Sequence, residues 1–204
     1  LFRSYTVKIP APGIFTVYNA LAAVRVCMQY GVTPETAAGS LLDFQVKGRM
    51  QFFSIPGGGE AVIDYAHNAM SLESVLTTLR AYRPARLITV FGCGGQRAKE
   101  RRFQMGEVSG RLSDLTVITS DNPRWEAPEA IMDDIETGVR KTDGKYLRIT
   151  DRKEAVKQAV EMAGPGDLVV IAGKGHENTQ EIQGVFYRMD EQELVEEACT
   201  QKLL

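Results

Sequence analysis

At 204 residues, 44% hydrophobic and 25% charged, the chain has the composition of an ordinary globular protein and the length of one large domain or a domain plus part of another. A net charge of −2 gives no electrostatic ground for a nucleic-acid partner, and no apolar run approaches the roughly 18 residues that would imply membrane insertion. Cys27, Cys93 and Cys199 are far apart, odd in number and form no CxxC pair, which argues against a disulfide scaffold or a zinc site and for a reducing, cytoplasmic setting.

Residues 1–46 differ in character from the remainder. Leu1-Phe2-Arg3 has no initiator Met, does not read as a signal peptide and runs straight into strand-like sequence, so a piece of a longer protein is expected. Tyr5 to Ile9 is expected as a strand, followed by the rigid loop Pro10-Ala11-Pro12-Gly13. A helix rich in small residues is expected from Tyr18 to Tyr30, stopped by Gly31. Thr33-Pro34 starts a second one, with an N-cap and a proline at the first helical position. One strand and two helices enclose little core, so this piece needs something else to pack against.

From residue 47 a regular α/β alternation sets in. Gln51–Ile55 and Ala61–Tyr65 flank Pro56-Gly57-Gly58-Gly59 and read as a hairpin. Leu72, Val75, Leu76 and Leu79 then mark one face of a helix. Arg86–Phe91 is a strand, Met105, Val108 and Leu112 mark a helix, and Leu115–Ile118 is a short apolar strand of the kind buried on both faces. Ile131, Ile135 and Val139 line the next helix, Tyr146–Ile149 the next strand. Asp151 with Glu154 opens a helix to Met162 in the manner of a capping box. Leu168–Ala172 is a strand, and a hairpin around Gly184 and a helix from Asp190 close the chain. Such alternation predicts a Rossmann-like, doubly wound, mostly parallel sheet.

Four of these strands end in polar loops: Asp64-Tyr65-Ala66-His67, Gly94-Gly95-Gln96-Arg97, Asp121-Asn122-Pro123-Arg124 and Gly173-Lys174-Gly175-His176-Glu177. If the strands are parallel the loops share the carboxyl-end rim, where α/β sheets bind ligands. Two guanidiniums, an ammonium, two imidazoles and several carboxylates would then meet there. Paired arginines suit carboxylates or phosphates, and Glu177 suits an ammonium. Each loop also has a plainer reading. Asp121-Asn122-Pro123 is as readily a turn, Gly173-Lys174-Gly175 a strand-to-helix link, and Gly48-Arg49 a solvated turn, while His67 and His176 read singly as structural histidines. No dinucleotide fingerprint or P-loop occurs. What favours a site is that four such loops fall at corresponding strand ends.

Taken together, Pro12–Ala23, Gly48-Arg49, Asp64–His67, Phe91–Arg97, Thr119–Arg124 and Ala172–Glu177 make the chain resemble the C-terminal portion of a Mur ligase over essentially its whole length. Within that family the resemblance is to the branch that adds the third residue of the peptidoglycan stem peptide. It implies that 1–46 is the end of the central ATP-binding domain and 47–204 the C-terminal amino-acid-binding domain. ATP with Mg²⁺ would activate a carboxylate of UDP-N-acetylmuramoyl-L-alanyl-D-glutamate as an acyl phosphate, which the incoming amino acid attacks. Asn19, Arg49, Asp64 and His67 would edge the ATP site; Arg97, Asp121, Asn122, Pro123, Arg124, Gly173 and Glu177 would hold the amino acid. The Asn-Pro-Arg form implies meso-diaminopimelate, whose far end carries the second carboxylate that lysine lacks. The resemblance places the UDP-binding domain, the P-loop and the magnesium-binding lysine upstream, so the chain alone is expected to bind no metal and to catalyse nothing. Asn68-Ala69-Met70 departs from the family's usual Thr-Pro-Asp after His67. The alternatives are a non-catalytic module that has kept the rim, a lysine-adding ligase, and a folate or polyamino-acid ligase, against which the Asn-Pro-Arg and Gly-Lys-Gly-His-Glu pair argues.

Overall fold

The structure, a computed structural model, describes residues 4–203. The chain divides into two compact units, one ending at Val46 and one beginning at Lys47. In the first, α1 (Ile14–Gln29) and α2 (Pro34–Ser40) are the regular elements. Helix α1 starts four residues before the expected Tyr18, directly after Gly13, whose φ of 100° takes the chain out of the Pro-rich loop. Thr33 caps α2 as expected, its hydroxyl accepting from the Thr36 N–H at 3.2 Å. The expected strand over Tyr5–Ile9 does not form: these residues are irregular, and among the described residues of this unit there is no strand for them to pair with. Only Ala20 and Ala37 are buried among the described residues of this unit, so it has next to no core of its own.

The second unit is built on six strands: β1 (Gln51–Ile55), β2 (Gly59–Asp64), β3 (Leu87–Phe91), β4 (Leu115–Ile118), β5 (Tyr146–Arg148) and β6 (Leu168–Ala172). They lie in the order β1-β2-β6-β3-β4-β5, with only β1 antiparallel. Strands β3 and β6 are apolar throughout apart from Thr89 and fully buried, as central parallel strands must be. One face of the sheet, with Ile63, Val90, Val117 and Ile171, packs on Val156 and Val160 of α6 (Arg152–Met162) and on Val195 of α7 (Glu191–Lys202). Alternation sends Thr89 and Thr116 to the other face. There Thr116 meets Ser109 of α4 (Glu100–Leu112) at 2.7 Å, and α3 (Ala69–Arg80) and α5 (Pro128–Val139) flank α4. Helices α4 and α5 approach until a Cβ on Gly138 would lie 2.0 Å from the Phe103 carbonyl oxygen, so glycine is required for that contact. The result is a three-layer, mostly parallel α/β fold of the Rossmann-like kind.

Local signals account for most of the boundaries. Asn68, the departure noted above, is the N-cap of α3 in a reciprocal capping box with Ser71. Asp151 caps α6 by accepting from the Glu154 N–H at 2.9 Å, but the Glu154 side chain turns to Gln158 instead of completing a box. After β6 the chain forms a separate hairpin, β7 (Thr179–Ile182) and β8 (Val185–Arg188), whose turn residues Gln183 and Gly184 both have positive φ.

Candidate active site at the carboxyl rim

The register puts Asp64, Ala172, Phe91 and Ile118 side by side across β2, β6, β3 and β4. The four polar loops therefore leave the sheet at one level, as the parallel reading requires. Between them lies a cleft of about 300 Å³ lined by Arg97, Asp121, Asn122, Arg124, Gly173 and Glu177, with His67 at its margin. Pro123 does not line it: it is buried behind Gly95, close enough that a Cβ there would lie 1.9 Å from the Pro123 oxygen. Tyr65 and Cys93, each inside one of the quoted motifs, and Arg101, outside them all, also line the cleft. Arg101 lies in the first turn of α4, beyond the loop that carries Arg97.

The Lys174 side chain is fully buried and so does not stand free on the rim. Its ammonium donates to Asn122 Oδ1 at 3.0 Å and to Glu177 Oε2 at 2.9 Å. Glu177 also accepts from Asn122 Nδ2 at 3.1 Å and from the Tyr65 hydroxyl at 3.4 Å. Burial pushes the Glu177 carboxyl up, but the hydrogen bonds and charge of Lys174, with Asn122 and Tyr65, outweigh it and hold the group below its ordinary range. The cleft thus has a fixed carboxylate on one side. Arg97, Arg101 and Arg124 line the same cleft. Cys93 is pushed up to about 12 by burial and stays a thiol.

At the margin, Arg49 stacks its guanidinium 4.6 Å from the centre of the Tyr65 ring, which His67 and His176 also approach at 4.8 and 5.1 Å. Asp64 is buried, and its oxygens accept from the backbone N–H groups of Met50 and Ala66, both at 2.9 Å. It thereby pins the Gly48-Arg49 turn to the end of β2. That turn packs so tightly that a Cβ on Gly48 would come within 2.2 Å of Gly175 backbone. Arg49, Asp64 and His67 are thus brought together around Tyr65. Asn19 lies exposed on α1, in the other unit.

One further carboxylate organises the loop that carries Arg97. Glu126 accepts from the Gln96 N–H and, at 2.8 Å, from Arg102, itself buried. The bond from Arg102, with the Gln96 N–H second, holds its carboxyl below the ordinary glutamate value of 4.5. A depressed folded-state pKa means that the unfolded chain binds the proton more readily. The stability Glu126 contributes is therefore present above about 4.5 and lost as pH falls through its lower folded value. Glu126→Gln is expected to lower the melting temperature at pH 7 and to make little difference at pH 3. An equal loss at both pH values would show that the charge plays no part.

Residues 48–175 match the family profile described as Mur ligase, glutamate ligase domain. The chain is 43% identical over 201 residues to a UDP-N-acetylmuramoyl-L-alanyl-D-glutamate–2,6-diaminopimelate ligase of Chlorobaculum tepidum, covering 97% of this chain and 39% of that protein. It is 46% identical over 186 residues to a ligase of the same name from Alkaliphilus metalliredigens, covering 87% of this chain and 36% of that one. A solved structure of a ligase of that name superposes with a TM-score of 0.75 at 37% identity, over 98% of this chain and 41% of that one. The chain thus spans about two fifths of the length of the relatives it matches. Likeness to the MurC structure of Thermotoga maritima, at a TM-score of 0.72 but 16% identity over 98% of this chain and 40% of that one, shows the fold alone.

Proposed function

Since the chain belongs to the Mur ligase family, we propose that its second unit is the amino-acid-binding domain of an ATP-dependent ligase that joins meso-diaminopimelate to UDP-N-acetylmuramoyl-L-alanyl-D-glutamate in peptidoglycan synthesis. The observation that carries this reading is the pairing, across one cleft, of arginine forks with a carboxylate kept ionised by Lys174. The two carboxylates of diaminopimelate match the arginines, and an ammonium matches Glu177. Glu181 and the Gly95 carbonyl already engage Arg124 through Nε and Nη1. Lysine would leave the remaining Nη2 edge without the carboxylate that diaminopimelate brings, a loss in a partly desolvated cleft.

In the full reaction ATP supplies the phosphoryl group that turns the dipeptide's carboxylate into a good acylating group. The amino nitrogen of the bound amino acid then attacks the acyl carbon, the amide C–N bond forms and phosphate leaves. What this chain's residues do is hold that amino acid in place and orient it, which converts a bimolecular attack into an effectively unimolecular one. The exposed Arg49 and His67 suit the phosphate edge of a nucleotide. With its oxygens already accepting two backbone N–H groups, Asp64 would reach a ribose only through its remaining lone pairs. Among the described residues no three His, Cys, Asp or Glu side chains converge as a magnesium site would need. In this reading its ligands, and residues completing the ATP site, belong to the remainder of the longer protein, and 1–46 is the end of its ATP-binding domain.

The test is phosphate release with ATP, UDP-dipeptide and meso-diaminopimelate. The full-length protein should release phosphate only when all three are present, and the 204-residue chain should release none. Turnover by the chain alone, or full-length turnover that ignores diaminopimelate, would remove the reading.

A further inference from the structure

Arg124 has a left-handed backbone, with φ of 54°, a conformation that a non-glycine residue keeps only when its surroundings hold it there. The surroundings are the β7–β8 hairpin. The Arg124 N–H donates to the Glu181 carbonyl at 3.1 Å, and the Gln183 N–H donates to the Arg124 carbonyl at 2.7 Å. The same hairpin reaches the rest of the loop: Gln180 Nε2 donates to the Asp121 carbonyl at 2.6 Å and the Glu181 N–H to Asn122 Oδ1 at 2.9 Å. On the side chain, Arg124 Nε donates to Glu181 Oε2 at 3.0 Å and Nη1 to the Gly95 carbonyl at 2.7 Å. A guanidinium has five N–H donors. With these bonds made, the Nη2 edge has no partner among the described residues, and Arg124 lines the cleft.

We infer that the β7–β8 hairpin is a strap that sets amino-acid selectivity, and that Glu181 is its positioning residue, fixing the Arg124 guanidinium so that its free edge meets the distal carboxylate of the substrate. The inference rests on the reading of the cleft as a diaminopimelate site. Glu181 does not line the cleft, and its side chain acts through Arg124 alone. Without it the long side chain keeps its charge but regains its rotamers, and the substrate must order it at each binding event. The cost falls on the one ligand that uses the fork.

The experiment is steady-state kinetics of the full-length enzyme carrying Glu181→Ala, Glu181→Gln, Arg124→Ala or the first and third together. Glu181→Ala should raise the KM for diaminopimelate on the order of tenfold, with kcat and the KM values for ATP and UDP-dipeptide little changed. Glu181→Gln should restore most of the loss, since its amide oxygen still accepts from Nε. On the Arg124→Ala background Glu181→Ala should add nothing, because the group it orients is gone. An unchanged diaminopimelate KM in Glu181→Ala beside a raised one in Arg124→Ala overturns the strap and leaves the site reading intact. A parallel rise in all three KM values makes Glu181 merely structural and overturns it too. If Arg124→Ala itself leaves the diaminopimelate KM unchanged, the site reading and the strap fall together.

Discussion

Arg152→Ala is expected to cost the chain about 3–5 kcal/mol of stability, the price of leaving a buried carboxylate without its partner. Arg152 and Glu191 are both fully buried. The guanidinium donates to Glu191 Oε1 through Nε at 2.9 Å and also through Nη2. Nη2 reaches the Ala172 carbonyl at 2.9 Å as well, and Nη1 the Ser120 carbonyl at 3.4 Å. Those carbonyls belong to the residues just before Gly173 and Asp121, so one side chain ties the β6 and β4 loops together beneath the cleft. Glu191 gains from its place in the first turn of α7, where the helix dipole favours an anion. Its Oε2 nevertheless has no partner among the described residues, so truncating Arg152 would leave the group almost unsolvated and unpaired. The measurement is the urea midpoint of the 204-residue chain. Arg152→Ala should shift it far more than the double variant Arg152→Met with Glu191→Leu, in which no charge is left buried. A single-variant loss below about 1 kcal/mol, the scale of an exposed pair, would mean that the pair is not the tie described.

Gly95→Ala should largely abolish activity in the full-length enzyme while leaving it folded. The Gly95 N–H donates to the Asn122 carbonyl at 2.9 Å and its carbonyl accepts from Arg124 Nη1 at 2.7 Å. A methyl group there would sit 1.9 Å from the Pro123 oxygen and 2.7 Å from its carbonyl carbon. Both are backbone atoms and cannot swing aside, so the two loops must part. These loops carry Arg97, Asn122 and Arg124, and a displacement of about 1 Å at a positioning group costs on the order of 100-fold in rate. The overpacking itself should cost only about 1–3 kcal/mol, because the contact lies at the rim and not in the core. A kcat/KM for diaminopimelate close to wild type would show that the two loops do not act as one receptor.

Much of this arrangement is written locally in the chain. The apolar runs at β3, β4 and β6 are too short for helices and too continuous for a solvated sheet, so parallel strands follow, and with them a shared rim. The helix faces Leu72–Leu79 and Ile131–Val139 are buried as their spacing requires. The parts that were not legible depend on distant partners. Tyr5–Ile9 has strand composition, but composition cannot supply a neighbouring ladder. Lys174 looks like a rim cation until Asn122, 52 residues away, draws it under the surface to brace Glu177. Arg152 pairs with a residue 39 positions on, and Glu181 with one 57 positions back. Neither pair leaves any periodic trace. Tyr65 lies within a motif, but nothing local shows that its hydroxyl reaches the Glu177 carboxylate, 112 positions on, at the cleft wall.

In the proposed reading Arg124, in the cleft that Glu177 also lines, selects an amino acid with a second carboxylate. The most direct measurement compares ATP- and UDP-dipeptide-dependent phosphate release by the full-length protein with meso-diaminopimelate and with L-lysine, in wild type and Arg124→Ala. A strong wild-type preference for diaminopimelate that disappears in Arg124→Ala is the expected result. Equal use of lysine by the wild type, or a preference that survives in Arg124→Ala, would contradict it.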